Sequence, residues 1–541
     1  MPRHFLLAVL VALGLMSGAQ AGVIPDRLAK AVQDRVDAGT YPVMVIGMID
    51  GDKTEVRAFG LLPDGKAPDG DTVFEIGSLT KTFTATLLAD AVTRGEVSLD
   101  DPVAKLLPDF TIPSRGSKQI TLGDIADQHS GLPRMPDNFH PADPGNPYAD
   151  YDAAKMKAFL ATYALPRNPG AAYEYSNLGF GLLGQALAAS AHSDYATLLR
   201  RRILEPLKMN STGIAFTAAM CAHLAPGHDE TGKPAEQWDL GAFAGAGAIR
   251  STVNDLMRYL RANMGVDKTK LSAAMQLAHL PRADMSPGQR VGLAWMTFTS
   301  AVGPITWHSG ATGGYASNLG FTADGRRGIV ILTNAAVNLE DIGLAAFDPN
   351  APLTPAHKAI PATAAQLAPY AGTYKVAEGL LLHIFPVGDQ LYGQATGQVG
   401  FALYNFAPDE FFSRVGGISV SFTRDAKGVV TGLVLHQNGD RIAPRLPDAP
   451  AVTLDAATLA SYVGKYPLAP NAVFDVMLKD GQLLVQMTGQ PRVAIFASAR
   501  DKFFYRVAEA QIDFERDAAG AVVALTLHQN GRDMRAPRLK E

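Results

Sequence analysis

The chain is nearly devoid of cysteine. Cys221 stands alone among 541 residues, which excludes an intramolecular disulfide and any thiolate zinc cluster. Nothing around Cys221 argues for an activated thiol, so it is expected as a buried packing residue rather than a nucleophile. Excess charge of either sign is also missing. Lys and Arg number 48 against 52 Asp and Glu, a formal net charge of −4, and that balance removes the electrostatic case for nucleic acid or an anionic membrane as partner. Long apolar runs are absent too. Phe5–Met16 spans 12 residues and nothing later reaches 18, so no transmembrane anchor is expected. There is no P-loop and no metal-ligand spacing, so neither a metal nor an organic cofactor is expected.

The one early apolar run has another use. Arg3 and His4 precede it, and Ala19-Gln20-Ala21 follows as a small-residue cleavage site. Residues 1–21 therefore read as a secretory signal peptide, and an exported, periplasmic or secreted protein is expected. The remainder, at 47% hydrophobic and 18% charged, has the composition and length of several globular domains.

What is present centres on Phe74-Glu75-Ile76-Gly77-Ser78-Leu79-Thr80-Lys81. No other serine in the chain has a lysine three positions on. Leu79, Phe83 and Leu87 recur every four residues, with Leu88 and Val92 beside them, and Gly95 ends the pattern as a C-cap would. Residues three apart share a helix face, so Ser78 and Lys81 project together from the first turn of a buried helix. A serine hydroxyl needs a base to take its proton, and a lysine kept neutral by burial can be that base. By itself the pattern also fits a plain helix start with an exposed lysine.

Two later stretches are candidate partners. Tyr175-Ser176-Asn177 holds the chain's one Tyr-x-Asn and leads into a helix rich in Leu and Ala. It reads either as a polar N-cap region or as a tyrosine oxygen placed beside Ser78 and Lys81, where a phenol with a lowered pKa would shuttle the serine proton. Trp307-His308-Ser309-Gly310 follows a strand pattern, with a turn and strands over Ser317–Phe321 and Gly328–Thr333 after it. Gly310 would let a substrate backbone approach closely. His-Ser-Gly also occurs at 129–131, so strand context is what sets the later copy apart. Elsewhere, Val43–Ile49 and Thr54–Phe59 flank the turn Asp50-Gly51-Asp52 as a hairpin, Thr121 caps a helix, and 134–152 is a polar surface excursion.

Ser78-x-x-Lys81, Tyr175-x-Asn177 and His308-x-Gly310, in this order, resemble the serine β-lactamase and penicillin-binding peptidase superfamily on its class C side. Leu99-Asp100-Asp101-Pro102, His129-Ser130-Gly131-Leu132-Pro133, Ala248-Ile249-Arg250-Ser251-Thr252 and Ile331-Leu332-Thr333-Asn334 also look like that family. The resemblance implies an α/β (α+β) catalytic domain with an antiparallel sheet and a helical subdomain. It implies Ser78 as the acylated nucleophile, Lys81 and Tyr175 as shared base and acid, Asn177, Ser309 and Gly310 as substrate-binding residues, and the N–H groups of Ser78 and Ala311 as oxyanion hole. His308 departs from the usual lysine, and a histidine near its ordinary pKa is mostly neutral at pH 7. That weakens the case for carboxylate recognition and resembles the D-aminopeptidases and some esterases.

Beyond a Pro-rich linker over 348–365, two copies of one unit follow at an offset of 92 residues. Tyr370-Ala371-Gly372-Thr373-Tyr374 matches Tyr462-Val463-Gly464-Lys465-Tyr466, Phe411-Phe412 matches Phe503-Phe504, and Leu435-His436-Gln437-Asn438-Gly439 matches Leu527-His528-Gln529-Asn530-Gly531. Their short alternating segments predict about eight strands each, forming small lipocalin-like up-and-down antiparallel barrels. His436 and His528, being duplicated, are read as structural. The expected domains are 22–347, 366–447 and 458–541, an arrangement that resembles D-aminopeptidase. The sequence-based reading is a D-aminopeptidase-like serine hydrolase that attacks small D-amino-acid amides or peptides at their amino-terminal residue, with peptidoglycan as one source of such short peptides. The alternatives are an esterase, a weak lactamase or D,D-carboxypeptidase, and a non-catalytic sensor of peptidoglycan fragments.

Overall fold

The computed structural model describes residues 22–539 apart from 399, 416, 438, 448–450, 470–471, 489–491 and 530–531. The signal peptide of residues 1–21 lies outside the described residues, as do Asn438, Asn530 and Gly531 of the repeated His-Gln-Asn-Gly segments.

The strand Val43–Asp50 is buried along nearly its whole length. Its side chains alternate between two cores, as strand geometry requires. Val43, Val45 and Ile49 enter the larger core with the helices, while Met44, Ile46 and Met48 meet Leu28 and Val32 of the helix Asp26–Asp37 on the other face. An apolar run without polar alternation is what a strand covered on both faces needs. The hairpin predicted here is present, with Lys53–Gly60 as the second strand. The full sheet has eight antiparallel strands in the order 53–60, 43–50, 327–333, 316–322, 303–311, 296–300, 289–291 and 283–286. The strand that carries His308 is thus flanked on both sides.

The helix Val253–Asn263 packs on this sheet, and the helix Thr80–Thr93, set among other helices, is buried from Thr80 to Ala91. Its threonine hydroxyls are satisfied internally: Thr84 Oγ1 donates to Gly245 O at 2.7 Å and Thr86 Oγ1 to Thr82 O at 2.9 Å. Phe83 stacks on Tyr259 with ring centroids 4.0 Å apart. Gly95, at φ +71°, takes the left-handed position after the helix. Among the described residues no helix is long and apolar enough to cross a membrane, and no His, Cys, Asp and Glu side chains cluster to hold a metal. Cys221 is exposed, not buried as expected. It sits on the five-residue helix Ala218–Ala222, whose buried residue is the adjacent Met220.

The C-terminal region forms two nearly closed barrels of eight antiparallel strands, each in sequence order. Leu446 N–H donates to Thr373 O at 2.8 Å across one seam, and Leu539 N–H donates to Lys465 O at 2.8 Å across the other. The copies agree in detail. The Tyr370 and Tyr462 hydroxyls meet Asp409 and Asp501, each at 2.9 Å, and the Tyr374 and Tyr466 hydroxyls donate to Tyr370 O and Tyr462 O, each at 2.7 Å. His436 Nδ1 and His528 Nδ1 lie 2.7 Å from Asp440 and Asp533 within their own barrels. Each barrel also docks on its predecessor through one face. Arg414 lies 4.4 Å over the Tyr404 ring, the Tyr404 hydroxyl donates to Glu230 O at 2.8 Å, and Asn338 N–H donates to Arg414 O at 3.3 Å. The residues 92 positions later repeat this: Arg506 lies 4.1 Å over Phe496, and Thr373 Oγ1 donates to Arg506 O at 3.4 Å.

A buried ion pair ties the short strand Val73–Glu75 to its partner Arg250–Thr252 and to the loop at Trp238. Arg250 Nη2 is 3.1 Å from Glu75 Oε1 and also donates to Trp238 O at 2.6 Å, while Trp238 N–H donates to Glu75 Oε1 at 2.9 Å. Breaking a buried pair by removing one charge strands the other. Arg250→Ala should therefore destabilise the catalytic domain by about 3–5 kcal/mol, read as a lower urea midpoint of its unfolding transition. A change near zero would show that the pair carries no such load.

Candidate active site

Ser78 sits on a single tight turn, Gly77–Leu79, just before the buried helix. Glycine is required on both sides of the contact that places it. Gly77 has φ +48°, and a Cβ there would come within 2.7 Å of Ala311 N. A Cβ on Gly310 would come within 2.0 Å of Ile76 O. The strand Gly303–Ala311 therefore lies directly against the nucleophile turn, and Ser317 Oγ donates to Ile76 O at 2.8 Å to hold it there. This brings the backbone of Ser78 beside that of Ala311.

Lys81 is fully buried. Its Nζ lies 2.8 Å from Ala246 O, 2.9 Å from Asn177 Oδ1 and 3.0 Å from Ser78 Oγ. The first two partners only accept, whereas the hydroxyl can donate. A neutral amine has two N–H groups for the acceptors and one lone pair, which then faces the serine hydroxyl. Burial, with the Arg134 charge adding to it, holds the Lys81 pKa well below that of a free lysine. Position and protonation state agree on a base aimed at Ser78.

Tyr175 is half-buried, with its ring centroid 4.9 Å from Lys81 Nζ. The expected lowering of its pKa is not what the structure gives. Burial pushes the phenol up to about 12, against the opposing pull of the Ser78 hydroxyl and Arg134. The sequence pattern places the tyrosine correctly but does not reveal its desolvation. Tyr175 is thus a proton donor at neutral pH. Asn177 is the first residue of the helix Asn177–Ser190, whose N-cap Ser176 accepts from Gly179 N–H at 2.8 Å.

His308 is 2% exposed. Its Nδ1 lies 2.6 Å from Ser309 O, which fixes that nitrogen as the N–H donor, and Nε2 has no partner. Burial first, and the Lys81 charge second, bring its pKa down to about 3. It is neutral throughout the physiological range. His129 of the earlier His-Ser-Gly is a separate buried group, with Nδ1 2.8 Å from Asp127 O. Ser78, Lys81, Tyr175, Asn177, His308 and Ala311 are accordingly brought together.

Sequence reasoning missed the walls. Tyr148, Trp238, Leu240 and Phe243 line a narrow cleft with Ser78, Asn177 and Ala311. Tyr148 belongs to the polar excursion over 134–152, which turns back onto Phe243 through Phe139 and Tyr148. Its aromatic residues were the available signal. Arg134 was missed as well, although it directly follows His129-Ser130-Gly131-Leu132-Pro133. A larger and more open cavity lies between the barrels and contains none of these residues.

The beta-lactamase family model matches residues 28–347. A domain of unknown function, DUF3471, matches twice, at 356–444 and 448–538. The D-alanyl-D-alanine-carboxypeptidase/endopeptidase AmpH of Escherichia coli K12 is 30% identical over 336 residues, which is 57% of this chain and 85% of that protein. The D-alanine carboxypeptidase AmpC of Burkholderia cenocepacia is 28% identical with a TM-score of 0.51, over 60% of this chain and 96% of that structure. A class C beta-lactamase of Rhodobacter sphaeroides, at 24% identity and a TM-score of 0.52 over 58% of this chain and 95% of its own, shares the fold.

With His308 neutral above about 3 and Tyr175 protonated below about 12, one group is left to titrate between them in this cluster. The acylation rate should rise with pH along a single limb whose midpoint lies well below 10.5, as Lys81 loses its proton. Lys81→Arg, which cannot deprotonate, should lower the rate by about a hundred- to ten-thousand-fold and erase that limb. Stopped-flow acylation across pH 5–10 checks both. A limb that persists in the arginine variant would assign the titration to another group.

Proposed function

Because the chain belongs to the beta-lactamase family, we propose that it is a serine hydrolase working through an acyl-enzyme at Ser78. Ser78 Oγ attacks the substrate carbonyl while Lys81 takes its proton, and Tyr175 passes a proton to the leaving group as the proton held by Lys81 returns to the phenol, so that both groups end as they began. The N–H groups of Ser78 and Ala311 receive the oxyanion, and Asn177 orients the substrate. Water then releases the acyl group. The observation that carries this reading is the arrangement of Lys81 Nζ, with two obligate acceptors and the nucleophile as its third partner.

For substrate, the likeness to carboxypeptidases supports small amides or peptides containing D-alanine, cut ahead of a C-terminal residue. The relatives named above are D-alanyl-D-alanine and D-alanine carboxypeptidases. The D-aminopeptidase reading comes second. It is supported by His308-Ser309-Gly310 and by the two barrels. Export through residues 1–21 belongs to the same proposal, as does a peptidoglycan-derived substrate.

The test pairs a peptide ending in D-Ala-D-Ala with a D-alanine anilide and a p-nitrophenyl ester. Release of D-alanine from the first, lost in Ser78→Ala together with covalent labelling by a fluorescent penicillin, is the expected result. Cleavage of the anilide alone would move the assignment to aminopeptidase, and of the ester alone to esterase. A persistent Ser78 adduct without turnover would indicate a sensor.

A further inference from the structure

A peptide ending in D-alanine carries a carboxylate close to the bond that is cut. The two basic side chains at the centre of the cluster are not charged here. Lys81 is held neutral by burial, and His308 is buried and neutral. Arg250 is committed to Glu75 and to the carbonyls of Trp238 and Ile214.

Arg134 stands beside the same residues in a different state. It is exposed, and its guanidinium makes no hydrogen bond or ion pair with any of the described residues. The guanidinium carbon lies 5.1 Å from the Tyr175 ring centroid. Its main chain is fixed to the site, because Arg134 O accepts the N–H groups of Asn177 at 3.1 Å and Leu178 at 3.3 Å. The next residue, Met135, has its sulfur 3.8 Å from Asn177 Nδ2 and 4.0 Å from the Tyr148 hydroxyl. Arg134 is therefore anchored to the first turn of the helix that presents Asn177. Its charge also reaches the cluster, adding to the burial that lowers the Lys81 pKa and opposing the burial that raises those of Tyr148, Tyr173 and Tyr175. It lies over the Tyr175 ring with its planar fork unoccupied among the described residues, and that fork matches a carboxylate in two parallel hydrogen bonds.

We propose that Arg134 is a specificity-determining residue of this site, receiving the carboxylate on the leaving-group side of the substrate in the role that the exchange of lysine for His308 leaves vacant. The proposal rests on the acyl-enzyme reading and narrows its substrate to amides, peptides or esters whose departing portion is an anion.

A matched pair of thioesters isolates the effect: hippuryl thioglycolate, whose leaving group bears a carboxylate, and its methyl ester, whose leaving group is neutral. The readout is the ratio of kcat/KM for acid over ester in the full chain. Arg134→Gln should lower that ratio about tenfold or more, the loss appearing in KM for the acid. Arg134→Lys, which keeps charge but not the fork, should recover part of it. Labelling of Ser78 by a fluorophosphonate verifies that the glutamine variant retains a folded site. An unchanged ratio in a labelled Arg134→Gln enzyme would overturn the proposal. Wild-type protein that is neither labelled nor active on either thioester would overturn the acyl-enzyme reading, and this inference with it.

Discussion

The burial of one amine governs the site. A lysine in water is an ammonium and no base. Removing it from water and giving it two acceptors and one hydroxyl makes the neutral form fit. That requires the helix Thr80–Thr93 to be enclosed on all sides, which explains its unbroken burial from Thr80 to Ala91. It requires the Ala246 carbonyl and the Asn177 amide to arrive from two other segments. It also requires the strand Gly303–Ala311 to close over the turn, which the missing side chain at Gly310 permits. Sheet, helix and loops are all arranged so that one ammonium is unfavourable.

The same desolvation that readies Lys81 silences its neighbours. His308 cannot charge and Tyr175 cannot ionise in the working range. A cluster built in this way handles protons well but attracts anions poorly, because it contains no fixed positive charge. Any recognition of a charged substrate has to come from the edge, where a guanidinium stays ionised whatever its surroundings. Division of labour between a dry centre and a wet rim follows from electrostatics alone.

Much of this was legible in the residues. The spacing of Ser78 and Lys81, the order of the three motifs and the 92-residue offset pointed to the side chains that gather around Ser78 and to the paired barrels, because each is a local or periodic pattern. The direction of the Tyr175 shift was not legible, since it depends on what packs around the ring. Nor were the walls: Tyr148 and Trp238 lie in segments without periodicity and reach the cleft through folding of irregular chain. Cys221 misled for a related reason. Free cysteines are usually buried, and only the orientation of a five-residue helix turns this one outward.

The docking of the barrels has a consequence for how such a chain could have been assembled. Arg414 with Tyr404, and Arg506 with Phe496, are the same contact pair used against different neighbours, first the catalytic domain and then the first barrel. In symmetry terms the contact is heterologous: head meets tail, and nothing in the operation closes. A copied segment that brings its own adhesive face needs no fresh surface of its own, so the burden of change falls on whatever it lands on. The second barrel shows that burden shifting. Where the first offers Thr373 to its successor, the second offers an exposed Lys465, so the foothold presented to a further unit is chemically different from the one already used.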